Sequence, residues 1–583
     1  MNILLTAINA KYIHSNLAVY SLRAYGAAHG YNAELAEFTI NQKTDDILEQ
    51  IYRRKPDVLV FSCYIWNIDM VTALAEEFHK ICPEVPIWGG GPEVSFETER
   101  FLTSHPVFTG VMMGEGERTF LRLCQAYETL QRECGKAEEL LRDIEGISFR
   151  QADGTVAVQP LRELLPMDEL PFCYEQIEDF RNRIIYYESS RGCPFQCSYC
   201  LSSVDKTLRF RSLDLVCREL QFFLDHRVAQ VKFVDRTFNC RREHALAVWR
   251  YIREHDNGVT NFHFEVSADL FGEEELEVIA GMRPGLIQLE IGVQSVHERT
   301  IREIRRTMNT ARVHDAVKRV QQGKNIHQHL DLIAGLPYED YETFQHSFDE
   351  VYRWKPDQLQ LGFLKVLKGS YMYERAEEYG IVFRSRAPYE VLSTRWIPYE
   401  KMLEIHLVEK MLERMYNSGQ FRTALSVLEQ RYDSPFQMFL DMGHFYRERG
   451  WLECSHSRIQ WTEMFLEFAV SADEKREDWY KEALIFDLYR IEKSKSRPGW
   501  APDLRKSHNQ TAVYLRQQKM EKKYCHMEPF RFLEIGKDAV PAVRETVGSE
   551  EILWILFDYE KRNPLTNEAA LLEVRPEDTA AIL

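Results

Sequence analysis

The chain has 583 residues, enough for three or four domains, and its 45% of hydrophobic and 12% of aromatic residues exclude a disordered chain. A net charge of −17 disfavours broad nonspecific binding to nucleic acid or to anionic lipid. We expect no signal peptide and no membrane span, because the N-terminus lacks a basic region before a long apolar segment and no long apolar run follows. Twelve scattered cysteines suggest a reducing cytoplasm.

Strands alternate with helices over residues 1–145. The predicted strands are Asn2–Ala7, Tyr31–Phe38, Pro56–Ser62, Pro86–Trp88 and Val111–Met113, and the predicted helices are Leu17–Gly30, Asp45–Arg54 and Ile68–Cys82. This alternation predicts a doubly wound, Rossmann-like parallel sheet, whose ligands bind beyond the carboxyl ends of its strands. Those ends are followed by segments 9–16, 62–67, 89–93 and 114–117.

Three consecutive glycines, Gly89, Gly90 and Gly91, follow the fourth predicted strand. With this order of elements, residues 1–145 resemble the cobalamin-binding domain that precedes many radical S-adenosylmethionine (SAM) cores. The resemblance implies that the nucleotide tail of cobalamin enters the sheet beside the glycines, with Ser62 and Glu115 as further contacts. The alternative for the glycines is an ordinary strand-to-helix turn of a nucleotide-type fold.

The cobalt ligand of that domain family is left open by the sequence. The family's motif Asp-x-His-x-x-Gly is absent, although His14 lies in the corresponding loop after the first strand. His14 is therefore either a cobalt ligand or an ordinary loop or helix-capping histidine. Many members of the family lack the ligand, so its absence bears on the coordination of cobalt more than on cobalamin binding.

A hairpin and a proline-punctuated segment over residues 146–180 predict a connector between two domains. Strand–helix alternation then resumes over residues 181–387, with predicted strands at 184–187, Val228–Val234, Asn261–Val266, Gly285–Ile291, Gln328–Ala334 and Asp357–Val366. Six such units predict a partial (β/α)6 barrel, with its active site at the carboxyl ends of the strands.

The loop after the first of these strands contains three cysteines, Cys193, Cys197 and Cys200, with an aromatic residue, Tyr199, before the last. Thiolates hold iron–sulfur clusters, and a set of three leaves one iron of a cubane open to another ligand. The alternative is part of a zinc site, for which Cys217 and Cys240 are candidates for a further ligand.

This CxxxCxxC pattern resembles the radical SAM superfamily, in which the amino and carboxylate groups of SAM bind the open iron. The resemblance implies a 4Fe–4S cluster held by the three cysteines. The predicted SAM contacts are Tyr199, Asp235, Glu265, Gly292, Gln294, Arg305, Ile333 and Gly335.

Several of these contacts have plain structural alternatives. Arg302, Arg305 and Arg306 follow the fourth strand, and any one of them is suited either to clamp the carboxylate of SAM or to lie on a solvated helix face. Asp235 and Glu265 are candidates for charged caps at strand ends.

Amphipathic helices dominate the remaining residues, 388–583, which we predict to form a mainly helical C-terminal domain. Two short apolar runs, Phe530–Ile535 and Ile552–Phe557, indicate a small sheet near the end. No motif in this region indicates a chemical function, and it lacks the basic, aromatic face of a nucleic-acid-binding module.

Together, the two resemblances imply a cobalamin-dependent radical SAM methyltransferase that cleaves SAM to a 5′-deoxyadenosyl radical and methylates an unactivated position. The alternatives are a cobalamin-dependent cyclase or rearrangement enzyme without methyl transfer, and a sensor without turnover. We expect a small-molecule or peptide substrate, an electron donor such as flavodoxin or ferredoxin, and neither a membrane nor a nucleic-acid partner.

Overall fold

The computed structural model describes residues 1–133, 137–204, 206–505, 507–535, 541–543 and 552–574. Contacts divide the chain into two compact units. The first comprises Met1–Ile326, Gly335–Glu339 and Phe363–Pro398, and the second comprises His327–Ala334, Asp340–Gly362 and Tyr399–Leu583. None of the helices within the described ranges has the length and apolar composition that crossing a bilayer requires.

The first unit begins with a seven-stranded sheet. Its strand order is Glu34–Thr39, Ile3–Asn9, Val58–Ser62, Ile87–Gly90, Gly110–Met112, Ile147–Arg150 and Val156–Val158. The first five strands in this order run parallel, as the alternation of strands and helices predicted. The last two form the predicted hairpin, which pairs antiparallel to Gly110–Met112 and so extends the sheet.

Helices cover this sheet at Leu17–Ala28, Thr44–Arg53, Ile68–Ile81, Thr98–Ser104 and Glu117–Glu133. The strand Val58–Ser62 is buried along its whole length, and its residues Leu59 and Phe61 pack with Phe78 of a covering helix. A continuous apolar run of this kind is typical of a parallel strand covered on both faces.

A second sheet in the first unit consists of four parallel strands. In spatial order they are Ile185–Tyr187, Gln230–Phe233, Asn261–Val266 and Ile287–Gln294. The helices between and after them are Leu213–Asp225, Arg242–Glu254, Glu273–Ala280, Glu298–Glu303 and Thr310–Gln322. Two further strands, His327–Ala334 and Gln358–Phe363, belong to the second unit and complete the six predicted strand–helix repeats. The predicted α/β class is confirmed.

The second unit is helical over most of its length and ends in a small sheet. Its main helices are Tyr341–Arg353, Tyr399–Met411, Arg422–Leu428, Pro435–Glu448, Arg458–Ala472, Glu477–Ile491 and His508–Gln517. Three antiparallel strands follow, in the order Cys525–Phe530, Leu553–Arg562 and Ala569–Val574. The helix His508–Gln517 and the last strand were not among the predicted elements, because neither has a strong apolar period.

A buried carboxylate joins two helices of this unit. Asp487, in the helix Glu477–Ile491, accepts hydrogen bonds from the backbone N–H groups of Thr423 and Ala424 at 3.1 and 2.9 Å. These groups lie in the first turn of the helix Arg422–Leu428, where backbone donors have no partner within the helix. Asp487 thus caps a helix from a distant part of the chain.

We expect Asp487→Ala to destabilise the second unit by about 2–4 kcal/mol, because two buried N–H groups lose their acceptor. Denaturant unfolding followed by tryptophan fluorescence measures this. The control is Asp478→Ala, which removes an exposed carboxylate from the first turn of the same helix and should cost about 0.5 kcal/mol. Equal losses from the two variants would contradict the capping role of Asp487.

Candidate functional site

The cysteine loop leaves the strand Ile185–Tyr187 and turns back sharply before its first cysteine. Gly192 has a φ of 90°, and a Cβ at this position would lie 2.3 Å from the backbone oxygen of Thr207. Only glycine fits this close approach of two backbone segments. The turn directs Cys193 inward, where its side chain, like that of Cys197, is only 8% exposed, whereas Cys200 is half-buried.

Backbone hydrogen bonds fix the middle of the loop. The N–H of Ser198 donates to the oxygen of Ile304 at 2.9 Å, and the oxygen of Ser198 accepts from the N–H of Met372 at 2.8 Å. The N–H of Cys200 donates to the oxygen of Cys197 at 3.2 Å. The segment between the second and third cysteines is therefore held from two sides before any cofactor binds.

Arg306 places a positive charge against the loop. One guanidinium nitrogen lies 3.8 Å from Sγ of Cys197 and 3.4 Å from the hydroxyl of Tyr199, and another donates to the backbone oxygen of Gly292. Burial raises the pKa of the Cys197 thiol, while the charge of Arg306 lowers it. Arg306 therefore favours the thiolate, the form of cysteine that binds iron.

Two buried polar atoms beside this contact lack a partner. Among the described residues, Nε of Arg306 and Oε1 of Gln294 have no hydrogen-bond partner. Gln294 ends the strand that carries Gly292, and its amide lies close to that glycine. Buried polar groups are nearly always paired in native proteins, so these two atoms indicate a polar ligand at this position.

The segment that begins at Gly335 packs beside the same strand end. Ser295 donates a hydrogen bond to Glu339 at 2.6 Å, and Thr300 donates to the backbone oxygen of Pro337 at 3.0 Å. The structure thus brings together Tyr199, Gly292 and Gln294 of the predicted SAM contacts. Ile333 lies in the strand His327–Ala334 of the second unit.

Asp235 is buried and is hydrogen-bonded to the residues just before the cysteine loop. Its carboxylate is 1% exposed and accepts hydrogen bonds from the N–H of Ser189 at 3.0 Å and from the hydroxyls of Ser189 and Ser190 at 2.6 Å. Burial raises its pKa to about 6 although these hydrogen bonds lower it. The structure therefore shows Asp235 fixing the backbone just before the cysteine loop, and its contact with SAM stays a prediction.

Arg305 points away from Arg306. Its guanidinium stacks on the ring of Tyr371 at 3.6 Å from the centroid, and its side chain is exposed. Sequence reasoning chose Arg305 among three neighbouring arginines, whereas the contacts with Cys197 belong to Arg306. Thr237, which lies 3.8 Å from Sγ of Cys193, was also missed. Glu265 is half-buried beside Glu290 in the sheet register.

Within the described ranges, no three His, Cys, Asp or Glu side chains surround the position of a single ion, and this includes the three cysteines of the loop. Cys240 is near Cys193, and its pKa is raised to about 11 by burial and then by the charges of Cys193 and Asp235. Cys217 is half-buried on the helix Leu213–Asp225.

The glycine loop of the first sheet is closely packed on one side and open on the other. Gly91 has a φ of 119°, and a Cβ there would lie 2.5 Å from the backbone oxygen of Cys63. Gly90 is half-exposed at the end of its strand, and no side chain lies within 4 Å of the Cβ position of Gly114 other than Leu161, at that limit. Gly89 is buried next to Cys63, and Ser62 accepts a hydrogen bond from Asn16 at 3.1 Å. Strand ends left uncovered by side chains suit a flat ligand at this edge.

His14 is positioned by the second sheet. Its Nδ1 lies 2.6 Å from the hydroxyl of Tyr186, and the backbone oxygen of Ile13 accepts a hydrogen bond from Ile184 at 2.8 Å. Burial lowers the pKa of His14, as do the charges of Lys11 and Lys232. These contacts account for the place of His14 without a bond to cobalt.

Glu115 takes part in a cluster of ion pairs rather than facing open space. Arg191, which directly precedes Gly192, pairs with Glu117 at 2.7 Å, Glu188 at 2.8 Å and Glu115 at 3.4 Å. Arg209 also pairs with Glu115. Glu117 begins the helix that follows Gly110–Met112, so the cluster joins the first sheet to the cysteine loop. The predicted contact of Glu115 with cobalamin stays a prediction.

Comparison with family models assigns three segments of the chain. A model described as B12 binding domain matches residues 3–124, and one described as Radical SAM superfamily matches residues 187–351. The chain therefore contains a B12-binding domain and a radical SAM domain. A third model, described as Protein of unknown function (DUF4080), matches residues 377–535.

Two curated relatives and one solved structure agree with this assignment. An uncharacterized methyltransferase, PH0819, from Pyrococcus horikoshii is 25% identical over 57% of this chain and 72% of its own. The cobalamin-dependent radical SAM methyltransferase TokK from Streptomyces tokunonensis is 25% identical over 59% of this chain, but this chain spans only 51% of TokK. The cobalamin-dependent SAM radical enzyme OxsB, solved with aqua-cobalamin, matches 84% of this chain and 80% of its own with 15% identity and a TM-score of 0.58, which shows a shared fold.

The cofactors of this protein are a 4Fe–4S cluster, SAM and cobalamin. The residues present fit this set. Cys193, Cys197 and Cys200 supply three thiols. Cys200 lies close enough to Cys197 for its charge to raise the pKa of the Cys197 thiol. The unpartnered atoms of Arg306 and Gln294 suit the polar end of SAM, and the open glycine edge suits a corrin.

We expect Arg306→Met to lower the iron and sulfide bound after anaerobic reconstitution, because the loop loses both its positive charge and its link to Gly292. Iron and sulfide assays measure the change. The matched control is Arg305→Met, which removes only a stacked, exposed guanidinium and should leave iron content unchanged. A loss confined to the control would contradict this role of Arg306.

We expect Gly90→Phe to abolish most corrin binding while the fold is kept. The φ of Gly90 suits any residue, and the closest atom to a new Cβ is the flexible end of Met112 at 3.1 Å, so the ring has to extend over the strand end. The absorbance of cobalamin retained after gel filtration measures binding. The control is Gly281→Phe, at the exposed end of the helix Glu273–Ala280. Equal corrin retention in both variants would contradict a corrin site at the edge that carries Gly90.

Proposed function

We propose that this protein is a cobalamin-dependent radical SAM methyltransferase that acts on an unactivated position of its substrate. The observation that carries the proposal is the cysteine loop itself. Cys197 and Tyr199 lie against Arg306, whose buried Nε has no partner among the described residues, at the strand end that carries Gly292 and Gln294. The methyltransferase relatives and the B12 binding domain support the same reading.

When bound, the cluster and SAM supply a 5′-deoxyadenosyl radical that removes a hydrogen atom, and methylcobalamin supplies the methyl group. The chain's own share is binding and orientation. Cys193, Cys197 and Cys200 would hold the cluster, whose remaining iron would bind SAM. Arg306 compensates the negative charge of the thiolates and orients the carboxylate of SAM.

The ion pairs of Arg191 set the relation of the two cofactor sites. Arg191 is adjacent to the cysteine loop, whereas Glu115 and Glu117 follow a strand of the first sheet. Both carboxylates and the guanidinium are largely buried, where the loss of one partner leaves an uncompensated charge. These ion pairs therefore hold the corrin edge of the first sheet at a fixed position relative to the cysteine loop.

The proposal includes a single-electron donor, such as reduced flavodoxin or ferredoxin, because the cluster has to be reduced before each cleavage of SAM. It also includes a reducing cytoplasm as the place of action, since cubane clusters with an open iron are sensitive to oxygen. The substrate is a small molecule or a peptide.

Two other functions use the same site. A cyclase or rearrangement enzyme would cleave SAM without transferring its methyl group, and a sensor would not cleave SAM at all. SAM carrying a deuterated methyl group separates the three. Label in the product together with 5′-deoxyadenosine and S-adenosylhomocysteine supports the methyltransferase, 5′-deoxyadenosine without label supports the cyclase, and uncleaved SAM supports the sensor.

We expect Cys197→Ala to abolish both the absorbance of the cluster and the formation of 5′-deoxyadenosine in the anaerobically reconstituted protein, because two thiolates cannot hold a cubane with one open iron. Cys217→Ala is the control, since this thiol lies on a helix away from the loop, and it should retain both signals. If Cys197→Ala still cleaved SAM, the three cysteines would not be the cluster ligands and the proposal would fall.

A further inference from the structure

The second sheet has two faces of opposite character. Side chains alternate between the faces of a strand. One face is apolar and buried, with Ile185, Tyr187, Val231, Phe233, Phe262, Phe264, Leu289 and Ile291. The other face is polar and, except for the more deeply buried His263, partly exposed, with Tyr186, Gln230, Lys232, Asn261, His263, Glu265, Gln288 and Glu290. Helices cover the apolar face, so the polar face is the inner one.

Three side chains of the inner face form a charged cluster. Glu290 accepts from Nζ of Lys232 at 3.2 Å, and Nε2 of His263 lies 2.8 Å from the same carboxylate. The side chains of Lys232 and Glu290 are 28% and 23% exposed, so neither is sealed in the interior. An ammonium has three donors, and among the described residues Glu290 is the one acceptor for Lys232.

The cluster lies close to the reaction site. Glu290 and Gly292 share a face of the same strand and are two residues, about 7 Å, apart. The oxygen of Gly292 binds Arg306, which contacts Cys197. On the inner face, Glu290 and Lys232 therefore lie next to the residues that suit SAM, two residues further from the end of the strand. A substrate has to lie at this position for the radical to reach its hydrogen.

The first sheet borders this place on one side. Tyr186 is opposite Lys232 in the sheet register and contacts His14 from the loop after the first strand of the chain. Tyr186, Lys232 and His14 together present three hydrogen-bonding groups at the side of the inner face nearest the B12-binding domain. The hydroxyl of Tyr186 and Nδ1 of His14 already bond to each other, so of the three it is Lys232 that suits an oxygen-rich anion.

We infer that the inner face binds the substrate and that Lys232 holds an acidic group of it, either a carboxylate or a phosphate. This rests on the proposed function only in assuming that the radical acts on a substrate at this face. An apolar substrate does not fit, because it would remove water from Lys232 and Glu290 without replacing their hydrogen bonds. The spare donors of Lys232 then gain charge-assisted hydrogen bonds to the anion.

The plain alternative is that Lys232 and Glu290 form a structural ion pair with no ligand. Trace acetylation of lysines in the anaerobic holoenzyme, read by peptide mass spectrometry, separates the two. The probes are succinate, inorganic phosphate and the neutral succinamide. Lys80, which is exposed and paired with Glu77, is the internal reference.

We expect succinate or phosphate to slow the acetylation of Lys232 several-fold relative to Lys80, and succinamide to have no effect. Protection by succinate alone indicates a carboxylate, and protection by phosphate alone indicates a phosphate. If neither anion protects Lys232 more than succinamide does, the inference is wrong.

A second measurement uses SAM with a tritiated methyl group and a metabolite extract separated on an anion exchanger. We expect labelled product from the retained, acidic fraction with the native protein and Lys80→Met, and about tenfold less with Lys232→Met at unchanged iron and corrin content. Label from the unretained fraction alone overturns the inference and leaves the methyltransferase standing. Cleavage of SAM without label in either fraction overturns the methyltransferase, and the acetylation result then decides the role of Lys232.

Discussion

A buried guanidinium beside a buried thiol is the interaction on which the candidate site depends. A thiolate in a place of low dielectric is costly unless a positive charge lies next to it, and Arg306 supplies that charge to Cys197. The same side chain donates to the oxygen of Gly292, so it also joins the cysteine loop to the end of the fourth strand. One residue thus affects both the ionisation of Cys197 and the distance between the loop and Gly292.

A second set of charges connects the two domains that the sequence separates. Arg191 is part of the cysteine loop, but its partners Glu115 and Glu117 come from the end of a strand in the first sheet. Because ion pairs in a partly buried place need close geometry to be favourable, this cluster allows little freedom between the corrin edge and the loop. Methyl transfer requires that kind of fixed relation, since both cofactors have to reach the same substrate.

The fold and the position of the site were largely predictable, because they depend on local patterns. Apolar periods located the main strands of both sheets, although short elements such as the helix Thr98–Ser104 were missed. The spacing of Cys193, Cys197 and Cys200 indicated the loop that we predict to hold the cluster. Individual contacts were less predictable. The choice between Arg305 and Arg306 depends on the backbone at Arg305, whose φ of 56° turns the chain at that point and directs successive side chains apart. Asp235 has the chemistry of a cofactor contact, but only the three-dimensional structure shows that two serines already use its carboxylate.

The alternation of polar and apolar residues in the strands of the second sheet held more information than the prediction of a barrel that we drew from it. A parallel strand buried on both faces has a continuous apolar sequence, as Val58–Ser62 does in the first sheet. The strands of the second sheet instead alternate, with Gln-Val-Lys-Phe at Gln230–Phe233 and Ile-Gln-Leu-Glu at the start of Ile287–Gln294. Alternation in a parallel sheet means that one face is not packed against apolar side chains. We infer that this face binds the substrate, so the polar positions in these strands indicate a polar substrate.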